Sequence, residues 1–234
     1  KYNKYNAFVV ISGTKNLPYT ASALSFILEN LDKPIVITDN NITNALLLSS
    51  QNDIPEVMVE SGGKLLRGCR CIHDDINYDS PNYPSLRKTN SLGMPENHLD
   101  LKLVNPEIKV IMVKIFPGFN VEDLFNIITN SDVDGIIFDI YCNGTLPHSE
   151  ELLMLIKEKI DSGVSMVAVS ECPENLQKSL SMDILETGII PGYDMTAPAA
   201  FAKLNFLLSN VEERSVIGQL MGISLRGELT KIEN

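Results

Sequence analysis

The chain has 234 residues, enough for one large domain or two small ones, and 44% of them are apolar, so it can bury a core and is not disordered. Its 30 acidic against 19 basic residues leave a formal net charge of −11, which argues against nucleic acid as a partner because no basic patch is there to neutralise phosphates. No apolar run reaches the roughly 20 residues that span a bilayer, no stretch reads as a signal peptide, and a cytoplasmic setting without membrane partners is expected.

The first half alternates strand and helix. Ala7-Phe8-Val9-Val10-Ile11 reads as a buried strand. Gly13 then permits a tight turn, and Thr14 stands where a helix begins, as an N-cap whose hydroxyl accepts a backbone N–H. A helix over 18–31 places Leu24, Ile27, Leu28 and Leu31 on one face, and Asn30, Asp32 and Pro34 end it. The strand Ile35–Ile37, a short helix over Asn44–Ser50 and the strand Pro55–Val59 follow. Gly62-Gly63 turns that strand back into Leu65-Leu66-Arg67-Gly68. Lys64, Arg67 and Arg70 read as a solvated hairpin edge. Residues 74–105 are rich in Asn, Asp, Pro and Ser and have few periodic apolar positions, so a linker is placed at 96–105, between domains over 1–95 and 106–211.

The second half repeats the rhythm. Strands are expected at Val110–Ile115, Gly135–Ile140, Met166–Val169 and around Ile189-Ile190. Helices are expected at Val121–Thr129, Ser149–Ser162, Asn175–Met182 and Ala197–Leu208, with a tail over 212–234. This succession implies α/β architecture, with parallel sheets flanked by helices and ligands held beyond the carboxyl ends of the strands. The four cysteines show no disulfide-scaffold spacing and are expected to be reduced, with Cys142 and Cys172 small buried residues at strand ends. Cys69, Cys71 and His73 alternate, so a strand would project all three to one face. Such a set would suit a soft metal, although the spacing is not a zinc signature and a fourth ligand is unassigned. His98 and His148 read as solvent-facing. Asp194 reads as a helix cap or a holder of the domain junction.

Several segments in order carry a resemblance. They are Ser12-Gly13-Thr14 with the Tyr19–Leu31 helix, Ile54-Pro55-Glu56-Val57, Gly63–Gly68, Ser80-Pro81-Asn82-Tyr83-Pro84, Gly192–Thr196 and Leu225-Arg226-Gly227-Glu228-Leu229-Thr230. Together they resemble the bacterial, cytosolic-type L-asparaginases, including the asparaginase–lysophospholipase branch. The resemblance implies two α/β domains, an intimate dimer, a small amide substrate hydrolysed to acid and ammonia, and no cofactor. It also implies that the first strand unit, with its lid threonine, is absent upstream of Lys1, leaving the first domain incomplete and its sheet with an unpaired edge.

The same resemblance assigns roles. Thr14 matches a family threonine. Lys15 replaces the aspartate that supports it and binds the substrate's ammonium. His73 stands at or next to the family lysine. Thr145 takes the place of an asparagine lent across the dimer. The longer loop the family carries after Thr38-Asp39-Asn40-Asn41 is deleted. Thr14 is therefore either a nucleophile or a helix cap, and His73 either a general base or a surface residue. The expectation is a degenerate family member with a binding role, or a heteromeric partner of an intact paralogue. The alternative is an active amidohydrolase.

Overall fold

The computed structural model describes residues 2–74, 77–81, 83–142, 145–172 and 180–230. The chain divides into two units, residues 1–103 with 225–228 and residues 104–224 with 229–234. The tail expected over 212–234 is thus shared, because 225–228 belongs to the first unit.

The first unit contains β1 (Phe8–Ile11), α1 (Leu17–Ile27), β2 (Leu28–Glu29), β3 (Ile35–Thr38), α2 (Ile42–Gln51), β4 (Val57–Ser61), β5 (Lys64–Arg67), β6 (Ile72–His73), β7 (Tyr78–Asp79) and β8 (Asp100–Leu101). Among the described residues its main sheet runs β1-β3-β4-β5. The β1–β3 and β3–β4 pairings are parallel and β4–β5 is a hairpin. Alternation along the strands makes two apolar faces. Ile35, Ile37, Val57, Val59 and Leu66 pack with Leu17 and Ala21 of α1. Val36, Met58 and Leu65 pack with Ala45 of α2 and with Leu86. The hairpin turns through Gly62 and Gly63 at φ +56° and +79°, the left-handed geometry that two-residue hairpin loops need.

The helix expected over 18–31 ends at Ile27, because Leu28 and Glu29 pair as a strand with Leu101 and Asp100. Tertiary pairing overrides a continuing helical pattern there. It also draws part of the expected linker region into structure, as does the buried Leu86.

The second unit contains β9 (Val110–Ile115), α3 (Val121–Asn130), β10 (Gly135–Ile140), α4 (Glu150–Asp161), β11 (Ser165–Ser170), α5 (Met182–Glu186), β12 (Ile190–Pro191), α6 (Ala197–Asn210) and α7 (Ile217–Met221). Its sheet runs β12-β11-β10-β9 with all pairings parallel. Val113, Ile115, Ile136, Phe138, Ile140 and Met166 face Leu124 and Ile128 of α3 and Leu152 and Ile156 of α4. On the opposite face α6 lies so close that a Cβ on Gly135 would come within 2.8 Å of Leu204.

Side chains cap α3, α4 and α6 at their amino-terminal ends. Asn120 accepts from Glu122 N at 2.9 Å, Ser149 from Leu152 N at 3.2 Å and Thr196 from Ala199 N at 3.3 Å. Asp194 therefore does not cap α6; its carboxylate instead accepts from the backbone N of Thr230 at 3.0 Å. The helix expected over Asn175–Met182 lies mostly outside the described residues, as do Asp75, Asn82, Asn143 and Gly144. No helix among the described residues is long and apolar enough to cross a membrane.

Candidate functional site

The first sheet places its loops where parallel sheets hold ligands. Ile11 of β1 lies opposite Thr38 of β3, and Ser12 N donates to Thr38 O at 2.9 Å, so the exits of the two strands run side by side. One exit carries Ser12-Gly13-Thr14-Lys15. The other carries Asp39-Asn40-Asn41 and passes directly into α2.

Thr14 opens a single 3-10 turn over Thr14–Asn16. It is not a side-chain cap: Gly13 holds the cap position of that turn and Asn16 that of α1, and neither turn nor helix has a side-chain cap bond. The expected capping role therefore does not hold, because α1 begins at Leu17, three residues beyond Thr14, with Asn16 at its cap position. Thr14 and Lys15 are exposed. Among the described residues the Thr14 hydroxyl makes no hydrogen bond, and Lys15 makes no ion pair.

Tyr78 gathers this end of the sheet. Its phenol is buried, donates to Asp39 Oδ2 at 2.9 Å and lies 3.2 Å from the backbone oxygen of Thr14. Its own backbone oxygen accepts from Ser61 Oγ at 2.8 Å, at the last residue of β4. Burial, and then acceptance of its proton by the Asp39 carboxylate, push the phenol well above its usual range. His73, paired with Tyr78 across the β6–β7 ribbon, is exposed and sets its ring edge-on to the phenol, with centroids 5.4 Å apart. Thr14 and His73 thus meet through Tyr78, without contact between their side chains. Sequence reasoning passed over Asp39 and Tyr78. Asp39 carried a usable signal, an acid directly after a strand and before a helix. Tyr78 was hidden in a stretch read as irregular. Thr145 belongs to the second unit, exposed after β10.

The Cys69-Cys71-His73 face does not form. Cys69 sits in a 3-10 turn over Gly68–Arg70, which breaks the strand alternation. Both cysteines are buried while His73 is exposed. Burial, then Glu228, pushes the Cys69 thiol up to about 12, and burial raises that of Cys71 as well, so neither is a ready thiolate ligand. Among the described residues no three His, Cys, Asp or Glu side chains are grouped to hold a metal.

Arg67 and Arg70 do not lie on a solvated edge. Both are buried. Arg67 makes a two-pronged pair with Glu56, at 2.6 and 3.1 Å, and donates to Tyr83 at 2.6 Å. Arg70 donates to Gly227 O at 2.7 Å. Acceptors from the far end of the chain, invisible to local reading, allow both charges to be buried.

Cys142 and Cys172 are not reduced either; they form a disulfide with Cα atoms 4.7 Å apart. Ile140 of β10 pairs with Ser170 of β11, and two residues further on the cysteines face each other. Parallel register brings together what sequence spacing kept apart.

Comparisons with known proteins cover both units. Residues 1–94 match the family described as "Asparaginase, N-terminal" and residues 109–221 match "Glutaminase/Asparaginase C-terminal domain". L-asparaginase 1 of Escherichia coli is 32% identical over 259 residues, covering 98% of this chain and 76% of its own. An L-asparaginase of Dirofilaria immitis is 30% identical over 268 residues, but this chain spans only 44% of its length. The crystal structure of L-asparaginase I from Vibrio cholerae superposes with a TM-score of 0.85 at 29% identity, covering 98% of this chain and 78% of the other.

Proposed function

Given that this chain belongs to the glutaminase/asparaginase family, we propose that it is a non-catalytic member that keeps the scaffold as a binding or partner subunit. One observation carries the reading: among the described residues no base hydrogen-bonds the Thr14 hydroxyl, while the nearby carboxylate, Asp39, accepts a hydrogen bond from the Tyr78 hydroxyl. A hydroxyl nucleophile needs a base within hydrogen-bond reach and donors for the oxyanion.

Three further points support it. Lys15 stands where the family resemblance implies an aspartate that binds the substrate's ammonium. Two like charges about 4 Å apart cost roughly 1 kcal/mol in water and several times more in a cleft. His73, at or next to the family lysine position, is exposed, and among the described residues its ring is set against the Tyr78 ring. The match to the E. coli enzyme runs over 259 residues, more than this whole chain of 234, so that relative carries residues where this chain has none. We place the difference at the connection from Thr38 to Ile42, on the ligand-binding end of the sheet.

The proposed partner is a second copy or an intact paralogue, with Thr145 facing it in place of the family asparagine, and the proposed setting is cytoplasmic. The test is ammonia release from asparagine and glutamine by the purified protein. None above the buffer blank is expected. Turnover that disappears in Thr14→Ala would establish the enzyme reading instead.

A further inference from the structure

The disulfide lies outside the Thr14 cluster, and nothing in the proposed function uses it. It joins the exits of β10 and β11 and closes residues 142–172, which carry α4 and β11, into a covalent ring across a sequence separation of 30. Neither sulfur carrier is fully buried, in contrast to Cys69 and Cys71. Backbone bonds hold the two exits whether or not the sulfurs are joined. Tyr141 N donates to Ile115 O at 2.9 Å and Glu171 N to Ile140 O at 3.2 Å, one residue before each cysteine. Cys172 N also donates to Ser170 Oγ at 3.1 Å.

Two thiols at these positions would therefore stay within bonding distance after reduction. Accessible sulfurs on a backbone that is already positioned are what reversible exchange requires. The other two cysteines are screened by burial and raised thiol values, which confines thiol chemistry to this pair.

We propose that Cys142–Cys172 is a thiol–disulfide exchange site whose reactants are small thiols of the glutathione class. A thiolate attacks one Sγ, the S–S bond breaks, and the other cysteine leaves as a thiolate that takes up a proton. A second small-molecule thiolate then attacks the mixed disulfide and releases the first cysteine, which is protonated in turn. Two small thiols become one disulfide, and the protein gains two electrons and two protons. The bond governs the exit of β10. Thr145 is three residues beyond Cys142, and the next residue, Leu146, is fully buried in the core of the unit. Oxidation adds the Cys142 bond to the Tyr141 N–Ile115 O bond and the buried Leu146 that flank this exit, and reduction removes that added hold.

The experiment equilibrates the native wild-type protein in buffers of stepped reduced-to-oxidised glutathione ratio, alkylates it and maps the label by mass spectrometry. Cys142 and Cys172 are expected to pass together from bonded to labelled, reversibly and without change in far-ultraviolet circular dichroism, while Cys69 and Cys71 stay unlabelled. Amide exchange over Leu146–His148 is expected to rise roughly ten-fold on reduction. The proposal is overturned if the bond survives excess reduced glutathione until the protein unfolds, which would make it a fixed staple. It is equally overturned if both cysteines label fully in oxidised glutathione, or if exchange over Leu146–His148 does not move. None of these readouts depends on whether the protein hydrolyses an amide.

Discussion

Glu56 and Arg67 sit at the amino-terminal end of β4, whereas Thr14, Lys15 and Asp39 lie beyond the carboxyl ends of β1 and β3. Both regions are charged, and they differ in what surrounds the charge. Around Arg67 the guanidinium and the Glu56 carboxylate are buried, and the guanidinium is also bonded to the half-buried Tyr83 hydroxyl and to Asn90 O. Around Thr14 the side chains are mostly exposed, and the Tyr78–Asp39 bond is half-buried. A buried, paired charge cannot lose its partner cheaply. An exposed group can be replaced at little cost to the fold. Under the proposed non-catalytic reading, the contrast explains how a chain could keep family scaffold motifs while residues at the ligand end change.

The largest test of that contrast is Glu56→Ala. It strands a buried guanidinium and is expected to cost about 3–5 kcal/mol in urea unfolding. Adding Arg67→Met should recover part of the loss, because the uncompensated charge is then gone. A cost near zero for Glu56→Ala would remove the distinction between the two ends.

Tyr78→Phe comes next. It removes the donor to Asp39 while keeping the ring, and should cost about 1–2 kcal/mol. A neutral result would mean that the Tyr78–Asp39 link holds nothing together. Smallest is the pair Lys15→Asp with His73→Lys, expected to shift stability by less than about 0.5 kcal/mol because both positions are exposed. Ammonia release is expected to stay absent in that variant, since the short connection between β3 and α2 is unchanged. Turnover there, with none in the wild type, would trace the proposed inactivity to those two residues.

Much of the fold was legible because periodicity is local. β9 and β10 begin and end at the residues that the apolar runs marked. Ser149 and Ala197 marked helix starts correctly to within a residue. α1 ran short because its last turn was taken by a strand partner some 70 residues away in sequence, the kind of contact no window of neighbours contains. Thr14, Lys15 and His73 were found through the resemblance. Tyr78, which touches Thr14 and His73, was not, because its role depends on Asp39, 39 residues away.

The sequence by itself determined that this is a two-part α/β chain, since strand and helix periods, turn glycines and capping side chains act over a few residues, while its ordered motif segments carried the resemblance to the asparaginases. Only the tertiary structure decided which charges and thiols are buried and with whom. Arg67 and Arg70 look like surface cations until Gly227 arrives, 160 residues from Arg67. Cys142 and Cys172 look unrelated until parallel register sets them opposite each other. Desolvation and pairing depend on distance in space, and composition and spacing do not encode that distance.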